Sequence, residues 1–266
     1  MELQGRVKEL RTKGLNVAAI SYDPLPVLAD FARRREISFP LLSDKGSATI
    51  TNYGILNTTV ASTSRIRGIP FPGTFILDRR GIVTARFFEQ NYQERDTAAS
   101  ILTRLGSGKA GSATEVSAPH LTFLSSVTDS AVALGTNFSL VLDVRPAKGV
   151  HVYAPGVTGY KPIALSIDPR PGLLVKNAMY PASEDYYFKP LNEHVPVFQQ
   201  PFRLVQDVAI DPTIPGQVAL KGVSTVTITG TLTYQACDDT VCFTPESVPL
   251  AWTVTLHALD LERARK

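Results

Sequence analysis

The sequence predicts an α/β layer unit followed by an all-β antiparallel sandwich. Helix and strand signals alternate over residues 1–105, a small-residue stretch interrupts them, and apolar residues then recur at every second position. The 266 residues suffice for two domains with separate cores, and a charged fraction of 19% describes a globular chain rather than a disordered one.

In the first unit, Leu3, Val7 and Leu10 recur at helical spacing and stop at Lys13-Gly14. The apolar run Asn16–Tyr22 reads as a buried parallel strand. Asp23 is expected to cap a helix with Pro24 in its first turn, ending near Arg35. Phe39–Ser43 is a second strand, and Asp44 starts a helix ending near Tyr53-Gly54. Thr74–Asp78 and Ile82–Phe87 are strands about the turn Arg79-Arg80-Gly81, and a helix from about Glu94 to Leu105 closes the unit.

Residues 106–118 are rich in Gly, Ser and Ala and read as a linker between domains 1–105 and 119–260. Beyond it, Phe138–Val144, Ala164–Ile167, Phe202–Val205, Val218–Leu220, Ser224–Gly230 and Leu250–Leu256 are strand candidates separated by Gly, Pro, Asp and Asn.

The net charge of +3 is uneven: residues 1–118 hold 16 Lys and Arg against 11 Asp and Glu, and residues 119–266 hold 11 against 13. The basic residues are scattered over predicted helix faces, so they read as solvated surface, and no nucleic-acid partner is expected. No apolar run approaches the ~20 residues of a membrane helix. The first residues lack a basic segment followed by an apolar one, so no signal peptide is expected in this chain.

Cys237 and Cys242 are the only cysteines. As a staple, a disulfide closing so short a loop removes only about 2 kcal/mol of unfolded-chain entropy, against nearly 5 for a loop of about 100 residues. As an exchangeable pair it needs only bonding reach and access. Thr231–Ala236 and Phe243–Val248 read as the arms of a hairpin, with Asp238–Val241 as its connection. The adjacent anions Asp238 and Asp239 disfavour a thiolate, so the pair suits a relay whose disulfide is attacked by a partner's activated thiolate. A binding module with a structural disulfide is the alternative. His120, His194 and His257 show no metal-ligand spacing, and there is no Ser-His-Asp signature or phosphate loop, so no metal or cofactor is expected.

Two segments carry family resemblances. Gly68-Ile-Pro-Phe-Pro-Gly-Thr-Phe-Ile-Leu-Asp78 with Gly81, and Val17–Asp23 upstream, resemble the AhpC/TSA and thioredoxin-like families. The resemblance implies a thioredoxin-like fold in which a cis-proline, Pro72 (or else Pro70), precedes a strand and faces a catalytic cysteine. No cysteine precedes residue 237, so the unit is expected to be N-terminally incomplete or a degenerate docking module, and a peroxidase remnant is the third functional alternative.

Tyr234-Gln-Ala-Cys-Asp-Asp-Thr-Val-Cys-Phe-Thr-Pro-Glu246 resembles the cysteine segment of the DsbD N-terminal domain family, as does Pro146-Ala-Lys-Gly-Val-His-Val-Tyr153 after its strand. Its members with the widest recognition space the cysteines one residue further apart. The resemblance implies an immunoglobulin-like sandwich, a bacterial periplasmic or other extracytoplasmic setting, and a link to cytochrome c biogenesis. It implies a thioredoxin-like electron donor and oxidised protein disulfides as partners. Cys242 would form the mixed disulfide and Cys237 resolve it. Glu184-Asp-Tyr-Tyr-Phe-Lys189 would be a cap over the cysteines, with Tyr186 in its central aromatic position and Tyr187 and Phe188 alongside. Glu184 and Asp185 either tune the thiols or are ordinary loop charges, and His151 and Tyr153 either line the site or are sandwich residues.

Overall fold

Two units divide the chain, one reaching Ala98 and the other running Ala99–Ala258. The computed structural model describes residues 2–64, 66–89, 91, 93–106, 108 and 112–258.

In the first unit, helix α1 (Glu2–Thr12) turns Val7 and Leu10 inward and ends where Gly14 takes a φ of +76°. Strands β1 (Ala19–Ser21) and β2 (Leu41–Ser43) pair in parallel around helix α2 (Leu25–Arg34). Pro24, not Asp23, occupies the N-cap of α2; the Asp23 carboxylate instead accepts from the Ser21 hydroxyl at 2.6 Å. Asp44, expected to start the next helix, instead lies before its N-cap Ser47 and serves its first turn through the side chain. Its carboxylate accepts from the backbone N–H groups of Ile50 and Thr49 at the start of α3 (Ala48–Asn52), and the Ile50 bond above all holds it below the usual carboxylate range.

Strands β3 (Gly73–Leu77) and β4 (Val83–Phe88) form an antiparallel pair, and β5 (Arg95–Asp96) follows. Among the described residues, β1–β2 and β3–β4 are separate two-stranded pieces rather than one sheet. The run around Ile20 is therefore not fully buried: Ile20 and Leu42, register partners, are 42% and 51% exposed. Pro72 also departs from expectation, since none of the described peptide bonds is cis. In the trans form its carbonyl accepts from the Glu89 N–H at 3.2 Å and extends the β3–β4 ladder.

The second unit begins within α4 (Ala98–Arg104), a helix expected from about Glu94 to Leu105. Its Ala99, Ile101 and Leu102 are buried, and Arg104 pairs with Asp207 at 3.4 Å. Residues 114–118, expected to be linker, form a strand. One sheet contains β6 (Thr114–Ala118), β7 (Leu121–Val127), β9 (Thr136–Pro146), β12 (Leu173–Met179) and β15 (Phe202–Ile210), in the order β12-β15-β9-β7-β6. A second contains β8 (Ala131–Val132), β11 (Ala164–Ile167), β16 (Thr225–Tyr234) and β18 (Glu246–Leu256), ordered β11-β16-β18-β8. Alternation explains the core between them. Phe138, Leu140, Leu142 and Val144 of β9 join Val226, Ile228 and Leu232 of β16 and Trp252 and Val254 of β18 in one buried cluster.

Val218–Leu220 is not a strand. It ends helix α5 (Ile214–Ala219), where Leu220 is buried beneath Gly172 and Val218 stays exposed. A Cβ on Gly172, whose φ is +85°, would lie 2.6 Å from Leu220. The third sheet contains β10 (His151–Tyr153), β13 (Glu184–Phe188), β14 (Glu193–Phe198) and β17 (Ala236–Cys237), ordered β13-β14-β10-β17, and it carries the cysteines.

Candidate functional site

Cys237 and Cys242 are joined by a disulfide. The β16–β18 ladder ends at the pair Tyr234–Glu246, and the expected hairpin resumes beyond it, with Cys237 and Cys242 bridged across its end and the Asp238 N–H donating to the Val241 carbonyl at 3.0 Å. At Gln235 the chain leaves that sheet for the third one. The Gln235 side chain pins the crossing by donating to the Phe243 carbonyl at 3.1 Å and accepting from the Lys161 N–H at 3.1 Å. Beyond it, Ala236 and Cys237 pair with Val152 and His151 of β10.

The connection between the cysteines is a turn organised by Asp238. Its Oδ1 accepts from the backbone N–H groups of Thr240 and Val241, both at 2.7 Å, and from the Thr240 hydroxyl at 2.8 Å. These bonds, the Thr240 N–H foremost, hold the Asp238 carboxyl below the usual range. Phe243 secures the far side: its N–H donates to the Ala236 carbonyl at 2.9 Å and its ring stacks on His120 at 3.7 Å.

The two sulfurs differ in access. Cys237 is 1% exposed, whereas Cys242 stands among the exposed residues of the turn. Tyr153 lies between them, its hydroxyl 3.2 Å from the Cys237 Sγ and 3.3 Å from the Cys242 Sγ. With the disulfide closed neither sulfur carries a proton, so the hydroxyl is the donor. Burial foremost pushes the Tyr153 phenol far above its ordinary value. Tyr153 stacks on Tyr160 at 4.3 Å, and Tyr160 donates to the Glu193 carboxylate at 2.8 Å.

Of the expected cap, Tyr186 reaches this site. It packs with Tyr153, Val195, Val197 and Cys237, and its hydroxyl donates to Asp239 at 2.6 Å. That bond, with burial, pushes its phenol up to about 12. Asp239 and Asp238 are thus tied to the cap and the turn. Asp185 and Tyr187 alternate onto the opposite face from Tyr186, where Tyr187 donates to Asn192 and Asp185 pairs with His194, while Glu184 accepts from Gln199. Phe188 is half-buried, opposite Glu193 in the β13–β14 register. His151 is buried with its ring 4.5 Å from that of Tyr186; burial holds its imidazole below the ordinary value, against the pull of Asp239 and Asp238.

Tyr160 and Glu193 were not legible as site residues, because no motif marks them and only the fold brings them beside Tyr153. Among the described residues, no cluster of His, Cys, Asp and Glu suited to a metal ion is present, and no helix is long and apolar enough to cross a membrane.

No curated protein matches the chain. Among solved structures, a crystal structure of the Neisseria meningitidis DsbD N-terminal domain in the reduced form is similar at 16% identity and a TM-score of 0.31, covering 44% of this chain and 81% of that one. Residues 1–86 match the model of the AhpC/TSA family, and residues 124–250 match that of the thiol:disulfide interchange protein DsbD, N-terminal. The chain is thus similar to the AhpC/TSA family over its first segment and to the DsbD N-terminal family over its second.

Proposed function

We propose that the chain is a protein thiol–disulfide oxidoreductase that relays reducing equivalents through Cys237 and Cys242 to oxidised protein partners. The observation that carries this reading is the unequal exposure of the sulfurs. A donor's thiolate attacks the exposed Cys242 Sγ, the Cys237–Cys242 bond breaks, and the buried Cys237 leaves with the electron pair; a second donor thiol then attacks the donor sulfur of this mixed disulfide, forming the donor's disulfide and releasing reduced Cys242. In the reduced chain Cys242 attacks a substrate disulfide, and Cys237 then displaces the reduced product. Tyr186 is the lid of the site, its ring packed with Cys237 and its hydroxyl held by Asp239, and a docking partner displaces it.

The DsbD N-terminal match supports a thioredoxin-like donor and an extracytoplasmic setting. The same matches support a thioredoxin-like first domain and an immunoglobulin-like second one, and we place the domain division before α4.

The test is a trap. Cys237→Ser leaves Cys242 unable to be released, so mixed disulfides with proteins of an extracytoplasmic extract should accumulate and vanish on reduction. Absence of adducts under every redox condition rejects the proposal. A reduction potential below about −300 mV would instead mark a structural bond.

A further inference from the structure

Breaking the Cys237–Cys242 bond leaves negative charge on a sulfur that water does not reach, since Cys237 is 1% exposed. A buried anion is costly unless it is hydrogen-bonded, and the adjacent carboxylates Asp238 and Asp239 oppose it further. Tyr153, Tyr160 and Tyr186 pack around this sulfur, but two of their hydroxyls are committed to carboxylates. Tyr160 donates to Glu193 at 2.8 Å, and Tyr186 donates to Asp239 at 2.6 Å. Tyr153, 2% exposed, aims its hydroxyl at the sulfurs instead, 3.2 Å from that of Cys237 and 3.3 Å from that of Cys242. Cys242 stands exposed to water, so the hydroxyl matters for Cys237. It already lies where the charge develops and needs no rearrangement to meet it.

We propose that Tyr153 is a catalytic residue of the exchange, its hydroxyl the donor that holds the Cys237 sulfur as a thiolate between opening and closing of the disulfide. The inference rests on the exchange reading above. In opening, the donor protein's thiolate attacks the Cys242 Sγ, the Cys237–Cys242 bond breaks, and its electron pair stays on the Cys237 sulfur, to which Tyr153 gives its hydrogen bond. In closing, that thiolate attacks the Cys242 Sγ of a mixed disulfide. The Cys237–Cys242 bond forms, the bond from Cys242 to the partner sulfur breaks, and the partner leaves as a thiolate with the electron pair. No proton changes hands in either step. The phenol keeps its own, which burial makes it hold tightly. A hydrogen bond to a charged group is stronger than one to a neutral group, so the Tyr153 bond favours the Cys237 thiolate over the thiol and makes Cys237 the better leaving group.

Other titratable groups face the same space: His151 beside Cys237 on β10, Tyr160 with Glu193 of β14, Tyr186 from β13, and Asp238 and Asp239 from the turn. The carboxylates raise the cost of a thiolate. His151 would offset that cost only as an imidazolium. Burial holds its affinity for a proton below the ordinary 6.5, well under the value of about 8.5 at which a thiol ordinarily ionises.

The experiment compares the reduced full-length chain with its Tyr153→Phe variant, which keeps the ring, in stopped-flow reaction with dithiobis-nitrobenzoate across pH. The first thionitrobenzoate is released by attack of Cys242 and the second by closure of Cys237 onto it. In the variant the midpoint of the second release should move to higher pH by about one unit, with the first unmoved. At neutral pH this makes closure about threefold slower, because about tenfold less thiolate is partly offset by a more basic nucleophile. Well above both midpoints the variant should close faster than the wild type, a crossing that looser packing does not produce. Because Cys237 and Cys242 are the only cysteines, isotopic labelling of cysteine gives an NMR signal for each, and that of Cys237 should titrate about one unit higher in the variant. An unmoved Cys237, or one moved to lower pH as when the hydroxyl accepts from the thiol, overturns the role of Tyr153 and leaves the exchange reading standing. A shift confined to Cys242 does the same. A wild-type chain that releases no second equivalent overturns both.

Discussion

Tyr186 and His151 lie side by side, but they respond to different perturbations. The Tyr186 ring packs with the buried sulfur, and its hydroxyl is held by a charged acceptor on the turn between the cysteines. Tyr186→Ala removes both and should speed reduction of the disulfide by a small thiol such as dithiothreitol about tenfold. Tyr186→Phe loses one hydrogen bond of about 1 to 2 kcal/mol before solvent screening and should fall between the two. Equal rates in all three proteins would mean that the ring does not gate the bond. His151 sets a pH dependence of stability instead. Its folded value lies below the ordinary 6.5, so the unfolded chain takes up the proton first as pH falls. Stability is therefore present in full above about pH 6.5 and declines below it. Asp238, held below its ordinary 3.8, acts in a lower window and loses its contribution only under about pH 4. Urea midpoints measured between pH 7 and 5 should fall in the wild type and stay flatter in His151→Gln.

At the scale of elements, the turn Asp238–Val241 holds the cysteines in register. The Asp238 carboxylate accepts three hydrogen bonds there, and the bridge Cys237–Cys242 follows from the chain reversal it fixes. Asp238→Ala should loosen that reversal and make the disulfide easier to reduce. The expected shift is on the order of 20–30 mV. Equilibration against a glutathione buffer reads this, and an unchanged potential would place the register in the flanking strands alone. The same elements show what periodicity reveals. β11, β16 and β18 were legible because their core-facing residues alternate over four or more positions. Val218–Leu220 was not, because three apolar residues fit either period, and here a buried Leu220 ends a helix. β6 was hidden by its small polar residues, since its pairing with β7 comes from backbone bonds that composition does not reveal. The cysteine pair was legible from rarity and spacing. The crossing of the chain at Gln235 onto β10 was not, because it depends on Gln235 accepting from Lys161, 74 residues away in sequence.

For the whole molecule, burial is divided unequally. The unit from Ala99 to Ala258 contains a single large core, with Phe138, Leu140, Leu142, Val144, Leu204 and Val254 almost wholly shielded. The unit ending at Ala98 rests on a parallel pair and an antiparallel pair, and two-stranded pieces are marginal by themselves in water. Its strands leave Ile20, Leu42, Leu77 and Val83 between 42% and 51% exposed, so little apolar burial offsets the chain entropy lost on ordering them. The two units should therefore unfold separately, the first at lower temperature. Calorimetry of the full chain should show two transitions, and limited proteolysis should cut first within residues 2–98. A chain of residues 99–258 should keep the upper transition together with the disulfide exchange of the parent, because the elements that position Cys237, Cys242, Tyr153 and Glu193 lie within it. Residues 2–98 alone should aggregate through their exposed strand faces. A single cooperative transition in the full chain would contradict this division, because both units would then stand or fall on one shared source of stability.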